Sequence, residues 1–275
     1  MTAYKTILVH AGLDEGATAR VRVAADLAER FDGSLLGAGA LAWDPYIDPS
    51  LGYVDGVTVQ ALHDQVDADL LKAEQSFRAA CAAQAQRTLW TSVADYPDRV
   101  MNALARGADL IVASAARPKD DLRRTPRAET LIMESGLPVL VLAAGVDRVE
   151  ARNIVIGWKD TRETRRAVAD SLPFLKRARS VAVVAVAENE VAPPTEAALA
   201  QVVDRLARHG VAAQHQIVRQ SGGAVSADIA SAAQARDADL LVLGAYGRSR
   251  LREWAFGGVT RELLAAPGQA VLFSR

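Results

Sequence analysis

Aromatic residues are scarce, at 5% of 275 residues, so any core has to be built from aliphatic and alanine side chains. That composition suits helices packed on a Val/Ile/Leu sheet. There is one cysteine, Cys81, which excludes an internal disulfide and fits a reducing compartment. It lies in the helical run AEQSFRAACAAQAQ and reads as a small packed side chain. Neither sign of charge is in excess. A net charge of −1 excludes the basic field of a nucleic-acid binder. No apolar run approaches the ~18 residues of a membrane span. The opening MTAYKTILVHAG enters a strand pattern directly, without the layout of a secretory leader. A cytoplasmic protein with no nucleic-acid and no membrane partner is the expectation.

Catalytic and metal signatures are missing too. His10, His63, His209 and His215 have no Cys, Asp or His at ligand spacing such as H-x3-H, so no metal site is expected. His10 ends the first strand, at a rim where a site can form. There is no G-x-S-x-G elbow and no evident acid/base pair. Ser221 and Ser226 read as helix N-caps.

What is present is repetition. RGADLIV at 106–112 returns as RDADLLV at 236–242, an offset of 130. YKTILV at 4–9 is echoed by ARNIVI at 151–156, an offset of 147, and LPVLVL at 137–142 by QAVLFS at 269–274, an offset of 132. The first two offsets differ by 17, so the first half carries extra residues. Their expected place is the Pro/Gly/Asp-rich stretch 42–60, read as an inserted loop. A long helix is expected over 60–86.

Within each half, short apolar strands alternate with segments of helical spacing. TEAALAQVVDRLARHG, for example, is a helix closed by Gly210 as C-cap. Such alternation predicts an α/β protein of two tandem, doubly wound, Rossmann-like domains, each with a five-stranded parallel sheet. The boundary is expected in AAGVDRVEARN (143–153), giving domains 1–146 and 147–275. Ligands of such sheets sit at the carboxyl ends of the strands, where strand order reverses. That places Trp158–Thr161 beside the stretch GAYGRSRLREWAFGGVTREL (244–263).

This stretch leaves a strand and enters a helix. Gly244, Gly247, Gly257 and Gly258 permit tight turns and close approach to bare N–H groups, and a helix start adds unpaired N–H groups and a positive dipole end. Arg248, Arg250 and Arg252 add charge. The residues alone leave two readings open: a phosphate-holding loop, or a connection whose glycines serve turning and packing. It is neither a Walker A loop nor a G-x-G-x-x-G fingerprint.

The strand DLLVLG, the G-x2-G-x9-G spacing, the following helix and the final AVLF strand resemble the universal stress protein family. IVIGWKDTRETRRAV resembles that family's first strand and helix, and the doubled layout is similar to its tandem members over essentially the whole chain. The resemblance implies a five-stranded sheet in each half and pairing of two such domains, here inside one chain or between two chains as a homodimer. It also implies ATP, ADP or AMP as ligand, with or without Mg2+, in a stress-response or regulatory protein with at most slow ATP hydrolysis. On this sequence it implies a nucleotide site of Gly157, Trp158, Lys159, Asp160, Gly244, Gly247, Arg248, Gly257, Gly258, Val259 and Thr260 in the second half. Two positions depart from the pattern. Gly258 stands where the family has Ser or Thr, with Thr260 two residues on as a partial substitute. Lys159 stands where it has an acidic residue, with Asp160 next and Thr161 in the Ser position. In the first half, Ser114 and Arg117 replace Gly244 and Gly247, no glycine lies between 108 and 135, and Gly12 takes the acidic position. That half is expected not to bind nucleotide in the family way. Trp158 is read as stacking near the base or packing at the rim. Trp254 and Phe256 are read as seating the loop. The alternative function is a nucleotide-free scaffold acting through the paired domains and the 42–60 insertion.

Overall fold

A computed structural model describes residues 3–43, 56–115, 121–187, 196–245, 258–265 and 268–275. The first half gives β1 (Thr6–His10), α1 (Ala17–Arg30), β2 (Ser34–Ala40), α2 (Gly56–Ala80), β3 (Thr88–Val93), α3 (Pro97–Leu104), β4 (Leu110–Ser114), α4 (Ala128–Glu134) and β5 (Val139–Leu142). The second gives β6 (Asn153–Trp158), α5 (Arg162–Leu175), β7 (Ser180–Ala187), α6 (Glu196–Arg208), β8 (Gln214–Arg219), α7 (Val225–Gln234), β9 (Leu240–Gly244), α8 (Gly258–Ala265) and β10 (Ala270–Ser274).

The strands form one sheet in the order β3-β2-β1-β4-β5-β10-β9-β6-β7-β8. Each half thus repeats the same five-strand order. Pairing is parallel throughout each half. The exception is the seam, where β5 and β10 run antiparallel with Val141 opposite Val271 and Leu140 opposite Leu272. The central strands are buried on both faces, as parallel strands flanked by helices require.

Two apolar clusters lie on the two sides of the sheet, and each spans both halves. One draws on α1, α2, α5 and α6 through Val21, Phe77, Val168 and Leu199. The other draws on α3, α4, α7 and α8 through Met101, Leu131, Ile229 and Leu263. Over the seam, the rings of Tyr4, Phe31 and Phe174 meet at centroid distances of 5.1–5.5 Å. Arg30 adds hydrogen bonds to the carbonyls of Val149 and Glu150 in the link between halves. Three aromatic residues are thus placed where the two repeats join.

The repeated Ala-Asp-Leu has a structural cause. Asp109 Oδ2 accepts from the backbone N–H groups of Lys5 and Thr6 at 2.7 and 2.9 Å. Asp239 accepts from Arg152 and Asn153 at 2.9 and 3.0 Å. Each carboxylate satisfies amides at the start of the neighbouring strand that the ladder leaves unpaired.

Several expectations shift. The inserted stretch ends in helix, because α2 begins at Gly56; residues 44–55 lie outside the described residues. The long helix stops at Ala80, and a 3-10 segment covers Ala82–Arg87. Ser226 is not an N-cap. Ala224 caps α7 without a side-chain bond, and the Ser226 hydroxyl donates to Glu262, tying α7 to α8. Gly210 does close α6. At φ +78° it lets Val211 N–H reach Leu206 O and Gly210 N–H reach Ala207 O.

Candidate functional site

Strand order sets the site. β6 lies between β7 and β9. α5 follows β6 on one side of the sheet, while α7 and α8 flank β9 in sequence on the other. The crevice where these connections part sits over the carboxyl ends of β6 and β9. Gly157 and Trp158 end β6, Lys159 and Asp160 follow, and Gly244 ends β9, with Gly157 opposite Leu243 in the ladder. β9 and β10 are parallel, so α8 must run back along the sheet, and its first turn opens at this same end. Gly258, Val259 and Thr260 form that turn. The structure therefore gathers Gly157–Asp160, Gly244 and Gly258–Thr260 at one sheet end. Gly247, Arg248, Gly257, Trp254 and Phe256 lie outside the described residues.

Two of the gathered glycines have packing partners. A Cβ on Gly244 would meet the backbone nitrogen of Thr164 at 2.4 Å and the carbonyl carbon of Glu163 at 2.6 Å. The end of β9 is thus seated on the first turn of α5. A Cβ on Gly157 would meet Leu243 Cδ2 at 2.5 Å and Ile229 Cδ1 at 3.3 Å. Trp158 is half-buried against the cluster that contains α1 and α5. Lys159 and Asp160 are exposed, and Asp160 lies 3.3 Å from Arg165.

The two helix starts at the site differ. α5 is capped by Thr161, whose hydroxyl accepts from Thr164 N–H at 3.3 Å. Its first turn also holds Glu163, a side chain 3% exposed and paired with Arg162. Burial acts to raise the Glu163 pKa, but bonds from Arg162, its own backbone and Thr161 outweigh it and hold the carboxyl below its ordinary value. A capped turn with a fixed negative charge does not attract a second anion. The α8 start carries no acidic residue in its first turn, so its N–H groups and dipole are the better anion donors. Thr260 is buried at 5% exposure.

The first half fills the equivalent place with its own side chains. Ser114 ends β4 as Gly244 ends β9, and the next residue of each, Ala115 and Ala245, donates to the last strand of its half. The Ser114 hydroxyl accepts from Arg20 Nη1 at 2.8 Å. Arg20 is 1% exposed and spreads its remaining donors over the His10 carbonyl at 2.8 Å and both Asp14 oxygens at 3.1 and 2.8 Å. His10, fully buried, places Nε2 3.3 Å from Ala40 O and Nδ1 3.5 Å from Arg20 Nη2. Burial, then the Arg20 charge, pushes its pKa down to about 4. A neutral ring that donates from Nε2 and accepts at Nδ1 meets both neighbours. Burial works against the charge on Asp14, but Arg20 overcomes it and holds the carboxyl low. Beside this group, a Cβ on Gly12 would meet His10 Cε1 at 2.8 Å. Asp69 of α2 and Arg124, 3.2 Å apart, line a shallow cavity with Gly12 and Leu41. His10 is thus an interior residue, not a rim residue. Sequence reasoning missed Arg20 and Asp14. The available signal was an arginine on the i, i+3, i+4 stripe of α1 that is otherwise Ala17, Val21, Ala24, Leu27 and Ala28.

Among the described residues no group of three or more His, Cys, Asp or Glu could hold a metal ion, and no helix is long and apolar enough to cross a membrane.

Comparison with known proteins agrees with this layout. Residues 150–274 match the family model of the universal stress protein family. A universal stress protein from Archaeoglobus fulgidus DSM 4304 superposes with a TM-score of 0.71 at 12% identity, covering 98% of each chain. A candidate universal stress protein from Pseudomonas aeruginosa UCBPP-PA14 gives 0.58 at 17% identity, over 99% of this chain and 94% of that one. A functionally unknown protein from Pseudomonas aeruginosa PAO1 gives 0.55 at 15% identity, over 99% and 93%. At these identities the likeness speaks for the fold, and it extends over both repeats. No curated protein sequence matches the chain.

Proposed function

We propose, from the match of residues 150–274 to the family model of the universal stress protein family, a regulatory protein that binds an adenine nucleotide in its second half. The phosphates lie at the start of α8 and along the glycine-bearing stretch from Gly244 to Gly258. The base and ribose lie toward Trp158–Asp160. The first half is a structural partner whose corresponding crevice is filled by Arg20, and the β5–β10 seam joins the two halves as a built-in pair of domains. The observation that carries the reading is the reversal of strand order at β6 and β9, with a helix start free of acidic residues in its first turn opening beside it.

A second reading draws on Gly244 and Gly157. Packing alone accounts for both glycines, as it would in a scaffold that binds no nucleotide. Titration calorimetry with ATP, ADP and AMP, with and without Mg2+, separates the two. Binding that the double substitution Gly247→Ala/Gly257→Ala abolishes supports the nucleotide site. No heat at about millimolar nucleotide leaves the scaffold. Phosphate release above that of the same double variant would add slow hydrolysis.

A further inference from the structure

The first half has its own reversal of strand order. β1 lies between β2 and β4, and the helices that follow β1 and β4 pack on opposite sides of the sheet. Ligands of such sheets sit over that point. Arg20 and Ser114 occupy one part of this crevice. Beside them remains the shallow cavity of about 260 Å³, part of it open to solvent. Leu13 follows β1, Leu41 follows β2, Asp69, Leu70 and Ala73 come from α2, and Arg124 comes from the connection that leaves β4. A volume just under the ~300 Å³ floor of drug-sized pockets suits a molecule no larger than an amino acid.

The lining sets an ion pair on an apolar bed. Leu41 and Ala73 are buried, and Leu13 is 45% exposed. Asp69 is buried at 8% exposure. Burial acts to raise its pKa, but bonds from Lys72, Arg124 and Gln65 outweigh it and hold the carboxyl below its ordinary value. Its oxygens accept three bonds, from Gln65 at 3.0 Å, Lys72 at 3.3 Å and Arg124 at 3.2 Å. A carboxylate has about four acceptor positions, so room remains for a further donor. Arg124 is half-exposed, and its one side-chain hydrogen bond among the described residues is the one to Asp69. Most of its donor fork is therefore open to a second carboxylate.

We infer that this cleft binds a small α-amino acid with an apolar side chain. The α-carboxylate takes the open donors of Arg124, the α-ammonium takes the remaining acceptor position of Asp69, and the side chain lies on Leu13, Leu41 and Leu70. The zwitterion is favoured by the charges it meets. Asp69 and Arg124 stand 3.2 Å apart, and a ligand that carries both signs on one carbon pairs with both. A carboxylate without an ammonium would face Asp69, and an amine without a carboxylate would face Arg124 and Lys72, each a like-charge contact. A charged ligand side chain would lie unpaired on the leucines. This site lies outside the nucleotide site proposed for the second half and does not depend on it.

Titration calorimetry of the full chain with leucine, isocaproate and isoamylamine tests this, since the last two lack the ammonium and the carboxylate in turn. Leucine should bind, and each analogue should bind about tenfold or more weakly, the worth of one charged hydrogen bond. Arg124→Gln should weaken leucine by a similar factor. Asp69→Asn should weaken leucine but not isocaproate. Leu13→Asp, at an exposed position, should also weaken leucine while leaving thermal unfolding in place. No heat with leucine, valine or phenylalanine at about 10 mM overturns the inference. So does an analogue that binds as tightly as leucine, leucine binding that survives Arg124→Gln or Leu13→Asp, or an equal loss of leucine and isocaproate in Asp69→Asn.

Discussion

The α-carbon of Gly244 rests on the backbone of Thr164, so close that a Cβ would stand 2.4 Å from the Thr164 nitrogen. This contact joins the end of β9 to the first turn of α5. It gives the first glycine of the loop a duty that does not involve a ligand.

Gly244→Ala should therefore destabilise the protein without nucleotide present. The obstacle is helix backbone rather than a flexible side chain, so the cost should reach the upper end of overpacking, about 3 kcal/mol. Urea unfolding of the ligand-free protein measures it. A change below about 0.5 kcal/mol would show that β9 and α5 separate easily.

Arg20→Met should cost about 3 kcal/mol, because it strands the partly buried Asp14 carboxylate and the buried His10 carbonyl. Arg20→Met/Asp14→Leu should recover much of that loss, since no unpaired charge then remains. If the double variant is no better than the single one, the arginine matters for its shape and not its charge.

His10 makes stability depend on pH. Its folded pKa, about 4, lies below the ordinary 6.5, so the unfolded chain binds the extra proton across that window. Stability should be full above about pH 6.5 and fall as pH drops toward 4, by up to about 3 kcal/mol. Asp14, held low by Arg20, extends the loss below the ordinary carboxylate range. Chemical unfolding from pH 4 to 8 should show His10→Gln flatter than wild type over this window. Parallel curves for the two proteins would refute the assignment.

Gly258→Ser returns a hydroxyl donor to the start of α8. If a phosphate lies there, binding should tighten about five- to tenfold, the worth of one added hydrogen bond. Calorimetry with ATP reads it directly. Unchanged affinity would place the phosphates away from that turn.

Removing the strand clamps, as Asp109→Ala or Asp239→Ala, should cost about 1–3 kcal/mol each, because two backbone amides lose a charged acceptor at once. Thermal melts of the single and double variants report it. Loss in only one of the two would mean that the repeats are not equally dependent on the motif.

The repeats, the strand–helix alternation and the doubling were legible because each rests on local pattern: apolar runs, helical spacing, and an Asp kept at 109 and 239. The gathering of Gly157–Asp160, Gly244 and Gly258–Thr260 at one sheet end was legible from topology alone. What was not legible depends on partners distant in sequence. Thr164 lies far from Gly244, and nothing in GAYG announces it. Ser114 and Arg20 meet across the first half, and an arginine in a helix reads as solvated until the stripe it shares is noticed. The start of α2 at Gly56 was hidden because Pro and Gly upstream dominate the reading of 42–60. Ser226 followed a turn-like run and looked like a cap, but its partner, Glu262, comes from another helix.

The tenth strand in chain order occupies the middle of the sheet, between β5 and β9. While the chain is being synthesised, the first repeat can fold early, yet β5 stays uncovered until β10 has been made. Throughout that interval the nascent protein shows a bare, wholly apolar border, VLVL, to anything nearby. A truncated product lacking β10 would expose two such borders, one on each repeat, and would be a far stickier molecule than the finished one.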